Sequence, residues 1–408
     1  MTPTPTANDA PGDDKAAKKK TLVAACVAHA THDGLSDLVY VFLPIWQEMF
    51  MLSYVWLSIL RSAYALTLAS LQIPASTLAT RIRPEYLLVI TTLVTGIGWL
   101  AAGWAGGATT LGMALVLAGI GASAQHPVAS ALVSRAYGRN AKRPLSLYNF
   151  SGDLGKSLLP ASAALLLTHT AYGYAVTLYA GIAVLAALCI GSLLRQASAE
   201  TPARQDSANL APGALPVQDN PGAFHALLCT AILDSAVRMG LLIFLPFIIK
   251  ENGGSLAQIG MGLTLVFIGG ALGKFFCGWM ADSIGAIKTV IVTELATALL
   301  IGVVLSAPLG IVLLVLPLLG AVLNGTSSVL YGSVTDVVDP KKLEKAFSIF
   351  YTGTIGSGAL SPILYGYAGD QLGVTTATAT VAITAAMALF PVSLYSLRKP
   401  GTFDPQPG

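Results

Sequence analysis

Apolar runs of about 20 residues follow one another along almost the whole chain, separated by short polar or Gly/Pro-marked breaks. A run of that length crosses a hydrocarbon core of ~30 Å as a helix. Twelve can be delimited, over 22–46, 54–80, 86–106, 109–134, 145–168, 172–194, 222–249, 257–281, 287–307, 309–336, 343–368 and 374–397. The residues are 54% hydrophobic and only 11% charged, against roughly 25% charged in soluble domains. A soluble fold of this size cannot hide so much apolar surface. Barrel strands would alternate over ~10 residues, which these runs do not do. The expected fold class is therefore an all-α integral membrane protein with twelve transmembrane helices.

Polar punctuation gives the domain layout. Residues 1–21, rich in Pro, Thr, Asp and Lys, contain no compact apolar stretch before a small-residue cleavage site, so they read as a disordered tail. The longest polar break, 195–221, contains Pro202, Pro212, Pro216 and Pro221 and reads as a linker. It separates a six-helix bundle at 22–194 from a second at 222–397, with a short tail at 398–408. Eighteen of the 23 Lys and Arg fall on one side of this topology. Only Lys250 falls on the other, and Arg61, Lys156, Arg238 and Lys274 lie within spans. The excess of positive charge predicts an inner (plasma) membrane protein with both termini, both tails and the linker cytoplasmic.

The two halves repeat. Phe42-Leu43-Pro44 recurs as Phe244-Leu245-Pro246, an offset of 202 residues in a chain of 408. The same shift places Ser53 on Ser255, Ala79 on Ala281, Ile82 on Ile284, Ser146 on Ser348, Leu158 on Leu360 and Pro160 on Pro362. One unbroken register thus pairs spans 1 with 7, 2 with 8 and 5 with 11.

Charges at mid-membrane cost ~2.5–3.5 kcal/mol each even on insertion scales, so each one needs a partner, water or a purpose. Span 1 carries His29, Asp33 and Asp37 at spacings of four, stacked on one helical face, with His32 one step aside. Span 2 carries Arg61, span 4 His126, span 5 Asp153 and Lys156, and span 7 Asp234 and Arg238. Structural neutralisation is one reading of Asp153 with Lys156 and of Asp234 with Arg238. The helix 1 cluster, with two carboxylates and two imidazoles, exceeds what packing requires and points to proton coupling. Lys274 reads as a snorkelling residue, and Glu294, in a peripheral span, as a structural one.

Several chemistries are excluded. The stretch Ser151 to Ser157, SGDLGKS, imitates a phosphate loop, but Phe150 stands where its first Gly is required and no strand precedes it. No His-Glu-x-x-His, paired-Cys or Gly-x-Ser-x-Gly pattern is present, so neither an enzyme, a metal site nor a cofactor is expected. The four cysteines, Cys26, Cys189, Cys229 and Cys277, read as small packing residues.

Two parallel six-helix repeats joined by a cytoplasmic linker resemble the major facilitator superfamily. Gly278, Asp282, Gly285 and Lys288 match its gating-loop signature after the second helix of a half. The first-half counterpart has Ser76, Thr80 and Arg83 at three of those positions and lacks the acid and both glycines. Within the superfamily the chain is most similar to the fosmidomycin-resistance-type exporters. The similarity lies in His29-Ala-Thr-His-Asp33, in Gly121-Ala-Ser-Ala-Gln-His126-Pro127, and in Gly152-Asp153-Leu-Gly155-Lys156-Ser157 with Pro160. Val128 replaces the acid that usually follows His-Pro there, and Asp153 and Lys156 add charges where those exporters are neutral. The resemblance places spans 1, 4 and 7, with span 5 beside them, around a cavity.

The function these features imply is proton-coupled export of a small organic compound by alternating access. Asp33, His29, His32 and Asp37 would couple protons; Arg61, His126, Asp153, Lys156, Asp234 and Arg238 would meet the substrate. Three cations among these suit a phosphonate, phosphate or carboxylate. The expected partners are that small molecule, protons and the lipid bilayer, with no nucleic acid. Proton-coupled import of an anionic metabolite has the same architecture and remains the alternative, and a non-transporting sensor would need a signalling module.

Overall fold

The computed structural model describes residues 11–199, 220–339 and 342–398. They form fourteen α-helices: α1 (Pro11–Phe50), α2 (Tyr54–Ser70), α3 (Gln72–Leu78), α4 (Pro84–Gly103), α5 (Ala108–Ala122), α6 (Gln125–Tyr137), α7 (Lys142–Leu166), α8 (Tyr172–Ala199), α9 (Pro221–Glu251), α10 (Leu256–Ile284), α11 (Ala286–Ser306), α12 (Leu309–Gly332), α13 (Leu343–Leu372) and α14 (Val374–Arg398). Counting α2 with α3 and α5 with α6 as single broken passages, there are twelve, one for each apolar run. Among the described residues, nine segments are both long and apolar enough to cross a membrane. The other three passages, α1, α7 and α13, are the most polar. In α1 the polar load is His29, His32, Asp33 and Asp37; in α7 it is Asn149, Asp153 and Lys156.

The boundaries differ from the sequence expectation in three places. α1 begins at Pro11, so residues 11–21 are helical, since Ala16, Ala17 and the Lys residues up to Lys20 are good helix formers. The second passage breaks at Leu71 and the fourth at Ser123–Ala124. Both breaks have one cause. Pro74 and Pro127 then fall in the first turn of α3 and α6, where a missing N–H costs nothing. Most of the expected linker lies outside the described residues, as do residues 1–10 and 399–408.

Helix ends are set locally. Asn220 caps α9, its side-chain oxygen accepting from the Ala223 N–H at 3.0 Å, with Pro221 at the first helical position. Ser255 and Gln258 form a capping box on α10. α10 stops at Gly285, whose φ of +90° turns the chain directly into α11.

By contact the chain divides into two compact units. One comprises the described residues of 1–36, 67–155 and 172–211; the other those of 37–66, 156–171 and 212–408. In this division the second half of α1, all but the last residues of α2, and residues 156–171 group with the C-terminal helices.

Within the first unit, α4 packs on α5 and α8. A Cβ on Gly98 would lie 2.4 Å from the Ala118 nitrogen, so only glycine allows that approach. Leu88, Ala124, Val133 and Ile190 form part of this unit's core. Within the second unit, α10 and α12 pack backbone to backbone: a Cβ on Gly269 would meet the Pro317 carbonyl oxygen at 2.0 Å, and one on Gly320 the Val266 oxygen at 2.1 Å. Large apolar side chains such as Leu185, Leu188, Leu314, Phe275 and Phe390 are exposed. That outer surface suits lipid and would be a liability in water.

Candidate functional site

In the first unit three side chains from two distant segments meet. His29 and Asp33 stand one turn apart on α1, and the Nε2 of His29 lies 3.2 Å from an Asp33 carboxylate oxygen. The other Asp33 oxygen lies 3.5 Å from the Nε2 of His126 on α6. The break at Ser123–Ala124 sets the start of α6, so the same Pro127 that ends one helical segment delivers His126. His29 and Asp33 are buried, whereas the His126 side chain is 41% exposed.

The helix across from them leaves the room. Gly152 of α7 faces the pair so closely that a Cβ would come within 2.6 Å of His29 Nε2 and 2.8 Å of Asp33 Oδ2. Three residues on, a Cβ on Gly155 would collide with the Ala30 carbonyl oxygen at 2.0 Å. The small residues of this motif therefore set how near α7 approaches α1.

Hydrogen bonds settle the tautomers. The Nδ1 of His29 lies 2.7 Å from the Tyr148 carbonyl oxygen. A carbonyl only accepts, so Nδ1 carries a proton, and in neutral His29 the bare Nε2 lone pair faces the Asp33 carboxylate. One proton placed between these two groups at 3.2 Å joins them in a hydrogen bond. The His29 ring also stacks on Tyr148 at 4.2 Å between centroids and meets His126 edge-on at 5.1 Å. Gln125 Nε2 donates to the Tyr148 hydroxyl at 3.1 Å, which steadies the stacked ring.

His32 turns to Thr92. Its Nε2 is 2.9 Å from Thr92 Oγ1, whose own proton goes to the Leu88 carbonyl at 2.7 Å. His32 Nε2 must therefore donate, leaving Nδ1 a buried acceptor with no hydrogen-bond partner among the described residues. His32 thus sits beside the cluster with a spare lone pair.

The second unit holds the other expected residues. Arg238 donates to Asp234 at 2.7 Å, one turn apart on α9, with Asp234 buried. Glu294 of α11, only 1% exposed, lies within electrostatic reach of both. Glu294 is thus a buried acid near the Asp234–Arg238 pair. Arg61 donates through Nε to the Tyr40 hydroxyl at 3.0 Å and through Nη2 to the Met239 sulfur at 3.2 Å. Asp37 and Lys156 also act electrostatically on Tyr40. Asp153 is half-buried on α7 in the first unit. Of the gating-loop residues, Gly278 is half-buried near the end of α10, while Asp282, Gly285 and Lys288 are exposed around the α10–α11 turn.

Sequence reading alone missed Tyr148, Thr92, Gln125, Tyr40 and Met239. Gln125 carried a signal, being a polar residue inside an apolar run and next to the His-Pro pair. Tyr148 carried none, because its carbonyl and its ring face supply the contacts.

A family model described as Major Facilitator Superfamily matches residues 25–224 and 227–407. The fold is similar to that of a bacterial homolog of the human lysosomal transporter Spinster in an inward-facing, unoccupied conformation. That match has a TM-score of 0.71 and 16% identity, and covers 94% of this chain and 97% of the other. A D-xylose–proton symporter matches with a TM-score of 0.76 and 12% identity, over 94% of this chain and 98% of its own. No curated protein sequence matches.

Proposed function

The chain belongs to the major facilitator superfamily and is a multi-pass secondary transporter rather than an enzyme, and from that premise we propose that it exports a small anionic organic compound in exchange for protons. The observation that carries this reading is the His29–Asp33–His126 cluster. Its locked Nδ1–H and inward-facing Nε2 make a place where one proton converts two repelling lone-pair groups into an ion pair. In a low-dielectric surrounding that change in charge is worth several kcal/mol, enough to bias a two-state equilibrium. His126, half-exposed, connects Asp33 to water, and His32 offers its spare Nδ1 as a neighbouring acceptor. Asp37, one turn beyond Asp33 on the same helix, would pass protons onward.

Arg61, Lys156 and Arg238 are the groups proposed to meet an anion such as a phosphonate, phosphate or carboxylate, with Asp153 and Asp234 setting its orientation. Gly278, Asp282, Gly285 and Lys288 are proposed as the cytoplasmic gating loop. Export is favoured over import by the resemblance of the His29–Asp33, Gly121–Pro127 and Gly152–Pro160 segments to the fosmidomycin-resistance-type exporters. The topology proposed is an inner-membrane protein with both termini cytoplasmic.

The test is counterflow and pH-driven uptake in proteoliposomes, run with anionic, zwitterionic and cationic compounds. Asp33→Asn should abolish gradient-driven transport while leaving insertion, abundance and gradient-independent exchange near wild type. Normal pH-driven transport by that variant would remove Asp33 from the coupling role, and a preference for cations would remove the anionic substrate.

A further inference from the structure

The same three side chains have a property that proton coupling does not require. His29, His126 and Asp33 each offer one ligand atom, a ring nitrogen or a carboxylate oxygen, and these atoms all lie within 4.8 Å of one another. Zinc holds imidazole nitrogen and carboxylate oxygen at ~2.0–2.2 Å in a tetrahedron, which sets neighbouring ligand atoms about 3.3 Å apart. His29 Nε2 lies 3.2 Å from one Asp33 oxygen and His126 Nε2 lies 3.5 Å from the other, both close to that spacing. The His126 side chain is 41% exposed, which leaves it room to turn toward the other two.

Three further features belong to metal ligation. Metal-binding histidines donate their remote ring N–H to a carbonyl or carboxylate, which orients the ring and raises the basicity of the ligating nitrogen. His29 does this to the Tyr148 carbonyl at 2.7 Å. Gly152 keeps the space beside Nε2 and Oδ2 free of a side chain. The exposure of His126 supplies the approach and an open fourth position for water. We propose that His29, Asp33 and His126 form a binding site for one divalent transition-metal ion of the zinc class. Two imidazoles and a single carboxylate oxygen select against magnesium and calcium, which want six or more oxygen ligands or several retained waters. Ion and proton use the same lone pairs, so each excludes the other. The binding claim stands whether or not the site couples protons to transport.

The experiment is equilibrium binding to the purified, tag-free full chain in detergent without substrate, using Zn2+ and Co2+ with Mg2+ and Ca2+ as controls. The expected result is one saturable Zn2+ per chain, displaced by Co2+ with the visible absorption of a four-coordinate site. His126→Asn and Asp33→Asn should each weaken binding by more than the ~10- to 100-fold that loss of an outer-shell partner costs, while His169→Asn and His225→Asn, at exposed positions, should leave it unchanged. X-ray absorption of the zinc-loaded wild type should show two imidazole ligands and lower-shell oxygen, a readout independent of whether any variant folds. Absence of saturable binding, affinity unaltered in folded His126→Asn, or a zinc shell lacking imidazole would each overturn the proposal. Because no transport is measured, failure here leaves the proton-coupling reading to its own test.

Discussion

Replacing Gly152 by alanine separates site geometry from helix packing. The added Cβ would sit 2.6 Å from His29 Nε2 and 2.8 Å from Asp33 Oδ2, so both tips must retreat by about 0.6–0.8 Å to reach van der Waals distance. His29 cannot retreat freely, being bonded at Nδ1 to the Tyr148 carbonyl and stacked on its ring. The pair therefore opens from 3.2 Å toward ~4 Å. With an effective dielectric constant of ~20, Coulomb attraction in the protonated pair falls from about 5 to about 4 kcal/mol. Overpacking adds to this, and the combined cost of about 1–3 kcal/mol lowers the fraction of correctly assembled, protonated sites by about fivefold to a hundredfold. Gradient-driven transport in proteoliposomes should fall accordingly, with protein abundance kept. Gly155→Ala is the contrast, because its Cβ meets the Ala30 backbone oxygen at 2.0 Å and can be relieved only by parting α7 from α1. That variant should lose protein. Gly356→Ala, with open space at its Cβ, should be neutral. Wild-type transport by Gly152→Ala, or a loss of protein equal to that of Gly155→Ala, would refute the reasoning.

Other outcomes follow from the remaining charges. Asp234→Asn combined with Arg238→Gln should restore protein levels relative to either single change, because no buried charge is left alone, while substrate affinity stays poor; recovery of both would make the pair structural. Asp370 accepts from the Tyr54 and Val55 N–H groups at 2.7 and 3.1 Å and so caps α2 from another helix. Asp370→Ala should cost ~0.5–2 kcal/mol and lower the thermal midpoint in detergent, with Asp370→Asn in between; an unchanged midpoint would show the cap to be idle. Cysteines placed within 195–221 should resist impermeant reagents in intact cells, and ready labelling there would reverse the topology.

Length, composition and period were enough to specify membrane helices and their number, because the bilayer imposes a single constraint on every crossing segment: about 20 apolar residues with all backbone groups bonded internally. The 202-residue repeat was legible for a related reason, since Pro44 with Pro246 and Pro160 with Pro362 mark the backbone at matching places in the two halves. Mid-membrane charge likewise marked His29, Asp33, Asp234 and Arg238 as residues with a purpose or a partner. Partnership across the fold is different in kind. That His126 shares Asp33 with His29, that His32 turns to Thr92, and that Glu294 comes within electrostatic reach of Asp234 and Arg238 depends on which helix faces meet. Apolar patterning leaves those faces nearly degenerate, because lipid and protein interior are equally apolar and only packing of small residues such as Gly152 and Gly155 distinguishes them. The proton on His29 is decided later still, by a backbone carbonyl of Tyr148 that every residue type possesses and no sequence pattern can signal.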